Sequence, residues 1–103
     1  MVLFVLEYTI IPEKEDEYTR HVKTVMLPYT QTVPGLLELR GYRDYMSGRA
    51  HVELEFESCI SWGDYMTHPK TKEVMTTMRA FTADLTWKVW EESHITPVPV
   101  DPT

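Results

Sequence analysis

The chain has one cysteine, Cys59, among 103 residues, so no disulfide forms within it and its stability must come from an apolar core. No apolar run approaches the ~20 residues that a membrane helix needs, and the first, Val2 to Leu6, is far shorter. The amino terminus lacks the basic flank and small-residue cleavage site of a secreted precursor, which predicts a soluble, cytoplasmic protein. Basic residues are the minority, ten against sixteen acidic ones, for a formal charge of −6. Such a charge repels phosphate backbones and anionic headgroups, so neither nucleic acid nor a membrane is an expected partner. The four glycines form no phosphate-cradling loop and no flavin or nicotinamide fingerprint, so no cofactor is expected.

What is present is periodicity. HVELEFES, His51 to Ser58, puts Val52, Leu54 and Phe56 on one face of a strand and His51, Glu53, Glu55 and Glu57 on the other. Val2 to Ile10 carries Val2, Phe4, Leu6, Tyr8 and Ile10 on one face, while Leu3 and Val5 make the other face apolar too, the pattern of a central strand covered on both sides. Pro12 and the acidic cluster Glu13, Glu15, Asp16 and Glu17 open a helix, which Tyr18, Val22, Val25, Met26 and Tyr29 continue as an apolar stripe. Pro28 is expected to bend or end its last turns.

Leu36 to Asp44 resumes period two, and Met46 to Arg49 reads as a hairpin loop. Ser58 caps a short helix through Met66, which His68-Pro69 breaks, and Val74, Met78, Phe81 and Leu85 phase a second helix. Thr86 to Ser93 reads as the last strand. Residues 1–93 form one domain, and 94–103 a proline-rich tail. The order of elements predicts an α+β, ferredoxin-like split βαβ sandwich with a four-stranded antiparallel sheet. Its helices cover one sheet face, so Leu3, Val5 and Trp90 on the other require a cover, and a second copy supplies it.

The run "ELEFESCISWGDYMTHP", together with "IPEKEDEYTRHV" and "PGLLELRGYRD", resembles the antibiotic biosynthesis monooxygenase family over nearly the whole chain. The resemblance implies a dimeric α/β barrel, two sheets face to face, with a pocket in each subunit between sheet and helices. It also implies activities ranging from cofactor-independent oxygenation of polycyclic aromatics to haem degradation. The haem-degrading branch combines an asparagine on the first strand with a tryptophan and a histidine. Here Phe56 and Tyr65 stand where relatives carry the last two, Leu54 stands where a glutamate is common, and the chain contains no asparagine, so that route is not expected.

Pairing Asp44 with His51 places Tyr42 opposite Glu53, Arg40 opposite Glu55, Leu39 opposite Phe56 and Gly41 opposite Leu54, with both faces consistent. The acidic face then turns away from the helices, toward a partner or the barrel rim. His51, Glu53 and Glu55 are alternatively a metal set, although same-face neighbours ~7 Å apart strain a shared ion. On the helix side, Leu6, Leu39, Leu54, Phe56, Met66 and Met78 are the expected substrate-binding lining, with Arg43 placed to hold a carboxylate or phenolate. Tyr8, Tyr65 and His68 are the expected proton-handling or orienting groups. Nothing in the spacing fixes a Cys–His pair at Cys59. Two functions follow: a cofactor-independent monooxygenase acting on a small aromatic or quinol-like molecule, or a non-catalytic homodimeric module that binds a small hydrophobic ligand or serves as structure.

Overall fold

The structure, a computed structural model, describes residues 1–93; the expected tail, 94–103, lies outside the described residues. Strand β1 (Val2–Ile10) is the centre of the core. Its alternate residues Val2, Phe4, Leu6, Tyr8 and Ile10 are at most 5% exposed, and each such side chain contributes roughly 1.5–3 kcal/mol of burial.

A 3₁₀ turn (Pro12–Lys14) leads into α1 (Glu15–His21), a π-helical turn (Val22–Met26) and α2 (Leu27–Thr30). Pro28 therefore does not end the helix. A proline has no N–H for the carbonyl four residues back and its ring collides with it, and one turn of wider bonding, with Leu27 N–H donating to Val22 O, absorbs the mismatch.

β2 (Leu36–Arg43) and β3 (Ala50–Phe56) form the hairpin. The expected register is corrected by two residues: Arg40 faces Glu53, Tyr42 faces His51, Gly41 faces Val52 and Leu39 faces Leu54. The turn decides this. Asp44 accepts from Met46 N–H and Ser47 Oγ, its own N–H donates to Arg49 O, and Gly48 enters with φ +74°, so the strands close at Arg43 and Ala50. A bulge between Leu36 and Glu38 restores the pairing of Leu36 with Phe56.

Helix α3 (Cys59–Thr67) starts on Ser58, whose Oγ accepts from Ser61 N–H, and α4 (Pro69–Arg79) starts on His68. The second helix is shorter than expected and the last strand longer, since β4 runs Thr82–Glu91. Leu85 belongs to that strand, where Thr82 and Ala83 pair with Ile10 and Thr9 across a break in register. Asp84 takes φ +55° at that break.

All pairings are antiparallel, in the order β2-β3-β1-β4, and the helices pack on one face through Tyr18, Met26, Tyr29, Trp62, Met66 and Met75. This is the expected ferredoxin-like α+β sandwich with an open four-stranded sheet. On the uncovered face Leu3 pairs with Trp90 and Val5 with Lys88, and Trp90 is 56% exposed. No described helix is long and apolar enough to cross a membrane.

Candidate functional site

A cleft of about 500 Å³ is walled by Tyr29 at the end of α2, the Thr32–Pro34 loop, Glu57 after β3, and one face of α3 continuing to Lys70. That volume suits a small organic ligand. Ser61, Asp64, Tyr65 and His68 recur at helical spacing, so α3 turns a single polar stripe toward the cleft. Gly35 makes the arrangement possible. It sits at φ +79°, and a Cβ there would overlap the Ser61 side chain, with Ser61 Cβ only 2.6 Å away. Gly35 O also accepts from Glu57 N–H at 2.9 Å, which joins the start of β2 to the start of α3.

Tyr65 is 7% exposed, its ring held by Phe56 at 5.2 Å, Phe4 at 6.4 Å and a near-parallel Tyr29 at 6.4 Å. Among the described residues nothing hydrogen-bonds its hydroxyl. Burial, reinforced by nearby Tyr29, pushes its pKa up to about 12, so at neutral pH it is an O–H donor. Tyr29 is anchored by a 2.6 Å hydrogen bond to buried Thr71. His68 Nδ1 accepts the Lys70 N–H at 3.0 Å, and a backbone N–H can only donate. Neutral His68 therefore carries its proton on Nε2 and offers the cleft a second donor.

Of the residues singled out in the sequence, Tyr65 and His68 come together here and Tyr8 does not. Tyr8 is fully buried elsewhere, its hydroxyl 2.6 Å from that of Tyr18, and burial together with that bond raises its pKa strongly. Leu6, Leu39, Leu54 and Met78 surround a void of about 10 Å³, at the lower limit for one water, so the space between sheet and helices is filled. Phe56 packs beneath Tyr65, and Met66 faces a separate shallow depression beside Met75, Lys72 and Arg79. Arg43 Nη1 reaches Glu15 at 2.8 Å and holds that carboxyl below its usual range, while its Nε donates to Gly48 O. Sequence reasoning missed Glu57, Ser61, Asp64 and Lys70 as wall residues. The i, i+3, i+4, i+7 spacing of Ser61, Asp64, Tyr65 and His68 was the available signal.

The acidic strand face is internally bonded. Arg40 contacts Glu38 at 2.8 Å, Glu53 at 3.1 Å and Glu55 at 4.0 Å, and His51 lies between Glu53 and Glu7. Among the described residues no group of three or more His, Cys, Asp or Glu side chains could hold a metal ion. Cys59 is exposed at the start of α3.

No family model and no curated protein sequence matches the chain. Solved structures do match. A protein from Deinococcus radiodurans, provisionally named an antibiotic biosynthesis monooxygenase, superposes with a TM-score of 0.80 at 12% identity over 97% of this chain and 100% of its own. A conserved protein from Methanosarcina mazei Go1 gives 0.79 at 14% identity over 89% and 92%. SnoaB, a cofactor-independent oxygenase from Streptomyces nogalater, gives 0.72 at 15% identity over 94% and 97%. Several structural neighbours thus carry the antibiotic biosynthesis monooxygenase name, and the resemblance read from the sequence holds at the level of the fold.

Proposed function

We propose that the chain is a cofactor-independent, monooxygenase-like protein that takes a small aromatic or quinol-like molecule into the cleft beside α3. One observation carries this reading: a nearly buried tyrosine, Tyr65, whose hydroxyl has no hydrogen-bond partner among the described residues, lines a cleft of about 500 Å³. A ring against Tyr29 would receive a hydrogen bond from Tyr65 at its oxygen. That donor favours the ionised form of a phenol or quinol, so it makes the substrate a stronger acid rather than removing its proton itself.

The ionised ring carbon then supplies the electrons. It adds to dioxygen, a returned proton completes a hydroperoxide, and loss of water leaves a new carbonyl, with one oxygen atom in the product and the other in water. The reading assigns no cofactor, because the sequence carries no flavin or nicotinamide fingerprint. Tyr8 falls outside this site and serves the core instead.

The alternative is a non-catalytic homodimeric module, favoured by the filled interior between sheet and helices. Both readings include the homodimer, because Leu3, Val5 and half-exposed Trp90 on the open sheet face suit a face-to-face copy. Oxygen uptake by the full chain with a panel of phenols, quinols and anthrones separates the two. Uptake abolished by Tyr65→Phe supports the oxygenase, whereas binding of the panel without any uptake supports the module.

A further inference from the structure

The walls of the cleft are not uniform. Along α3 the polar stripe begins with Glu57 and Ser61, passes Asp64 and Tyr65, and ends at His68 and Lys70. Seven residues separate Ser61 from His68, a helical rise of about 10 Å. The first end holds the Glu57 carboxylate and the middle that of Asp64, and both accept hydrogen bonds and repel anions. The far end holds Lys70 and the Nε2–H of neutral His68. Among the described residues Lys70 forms its ion pair with Glu73, at 3.6 Å on the surface, and such a pair exchanges readily for a better acceptor. Between the ends lies the aromatic floor of Tyr29 and Tyr65 with its free hydroxyl.

Resting on the reading that this cleft is the ligand site, we infer that its ligand is a phenolic carboxylic acid: a hydroxyaryl group with a short carboxylate arm. The phenol oxygen accepts from the Tyr65 hydroxyl, the ring lies against Tyr29, and the carboxylate meets Lys70 and His68 Nε2–H. A neutral phenol leaves the cationic end unpaired, and an aryl amine places its charge against Lys70. Selectivity therefore comes from charge at one end of the cleft, and aromatic affinity from its middle.

Calorimetric titration of the full chain with 3-(4-hydroxyphenyl)propionate, 4-ethylphenol and tyramine tests this. The acid should bind roughly tenfold more tightly than 4-ethylphenol, with tyramine weakest. Lys70→Met should erase that preference, bringing the affinity for the acid down to that for 4-ethylphenol. His68→Asn, which keeps a side-chain oxygen to cap α4, should reduce it in part. Equal affinity for the acid and 4-ethylphenol, or a preference for tyramine, overturns the inference and leaves the cleft as an aromatic site. If none of the three binds more tightly to the wild type than to Tyr65→Phe, both the inference and the cleft reading fail.

Discussion

His51 Nε2 lies 2.9 Å from Glu53 Oε2, two residues along the same strand face, while the other ring nitrogen, Nδ1, lies 3.2 Å from Glu7 Oε2. A neutral imidazole donates from one nitrogen only, so a ring between two carboxylates is satisfied at both only as the imidazolium. Its pKa is accordingly raised, by the Glu53 bond first and the Glu7 bond second, and that of Glu53 is lowered, by His51 first and Arg40 second.

The sign of the pH dependence follows. A raised histidine pKa contributes stability that is complete below the unfolded value of about 6.5 and is lost as pH rises through the folded value. Denaturant melts of wild type and His51→Gln should differ most near about pH 6 and converge toward about pH 9. For Glu53 the sign reverses: its contribution is lost as pH falls through the lowered carboxylate value. A wild-type advantage that grows with rising pH would rule out the imidazolium bridge.

The two buried tyrosines should separate under the same conservative change. Tyr8→Phe leaves Tyr18 without its partner and should cost about 1 kcal/mol of stability. Tyr65→Phe removes a hydroxyl that nothing in the described chain bonds, so it should leave stability within about 0.5 kcal/mol of wild type while weakening aromatic ligands. Melting curves read alongside ligand titrations check both.

Gly35 is the hinge of the cleft wall. Replacing it with alanine combines a left-handed φ of +79° with overlap at Ser61, and should cost about 1–3 kcal/mol and displace Glu57 and Ser61. Alanine at Gly41, which has nothing within 4 Å of its would-be Cβ, serves as the control and should change little.

The open sheet face predicts self-association. Light scattering at tens of micromolar should give twice the chain mass of 12.1 kDa. Val5→Asp would put an unpaired charge in the apolar middle of that face and should dissociate or unfold the protein. A wild-type monomer would end the two-copy reading.

Haem should survive. Haemin mixed with the chain and a reductant should keep its Soret band apart from non-enzymatic bleaching, because the chain contains no asparagine and, on the resemblance read from its sequence, Phe56 and Tyr65 would stand where the haem-degrading branch carries tryptophan and histidine. Protein-dependent formation of a biliverdin-like pigment would contradict this.

The faces of the strands were legible in the sequence because side-chain alternation is a local property. Val52, Leu54 and Phe56 are buried and Glu53 and Glu55 are not, whatever pairs with them. The cap at Ser58 and the break at His68-Pro69 were legible for the same reason. Hairpin register was not, since a slip of two residues keeps every side chain on its face, and only the Asp44 turn distinguishes Tyr42 opposite His51 from Tyr42 opposite Glu53. Pattern alone also could not separate a core filler from a pocket wall. Leu6, Leu39 and Leu54 face the helices as expected, yet the side chains above them close the space to about 10 Å³. The open volume lies where Gly35 meets Ser61 and where α2 stops short of α3. That position depends on how residues distant in sequence pack, and packing is a property of the assembled chain rather than of any local run.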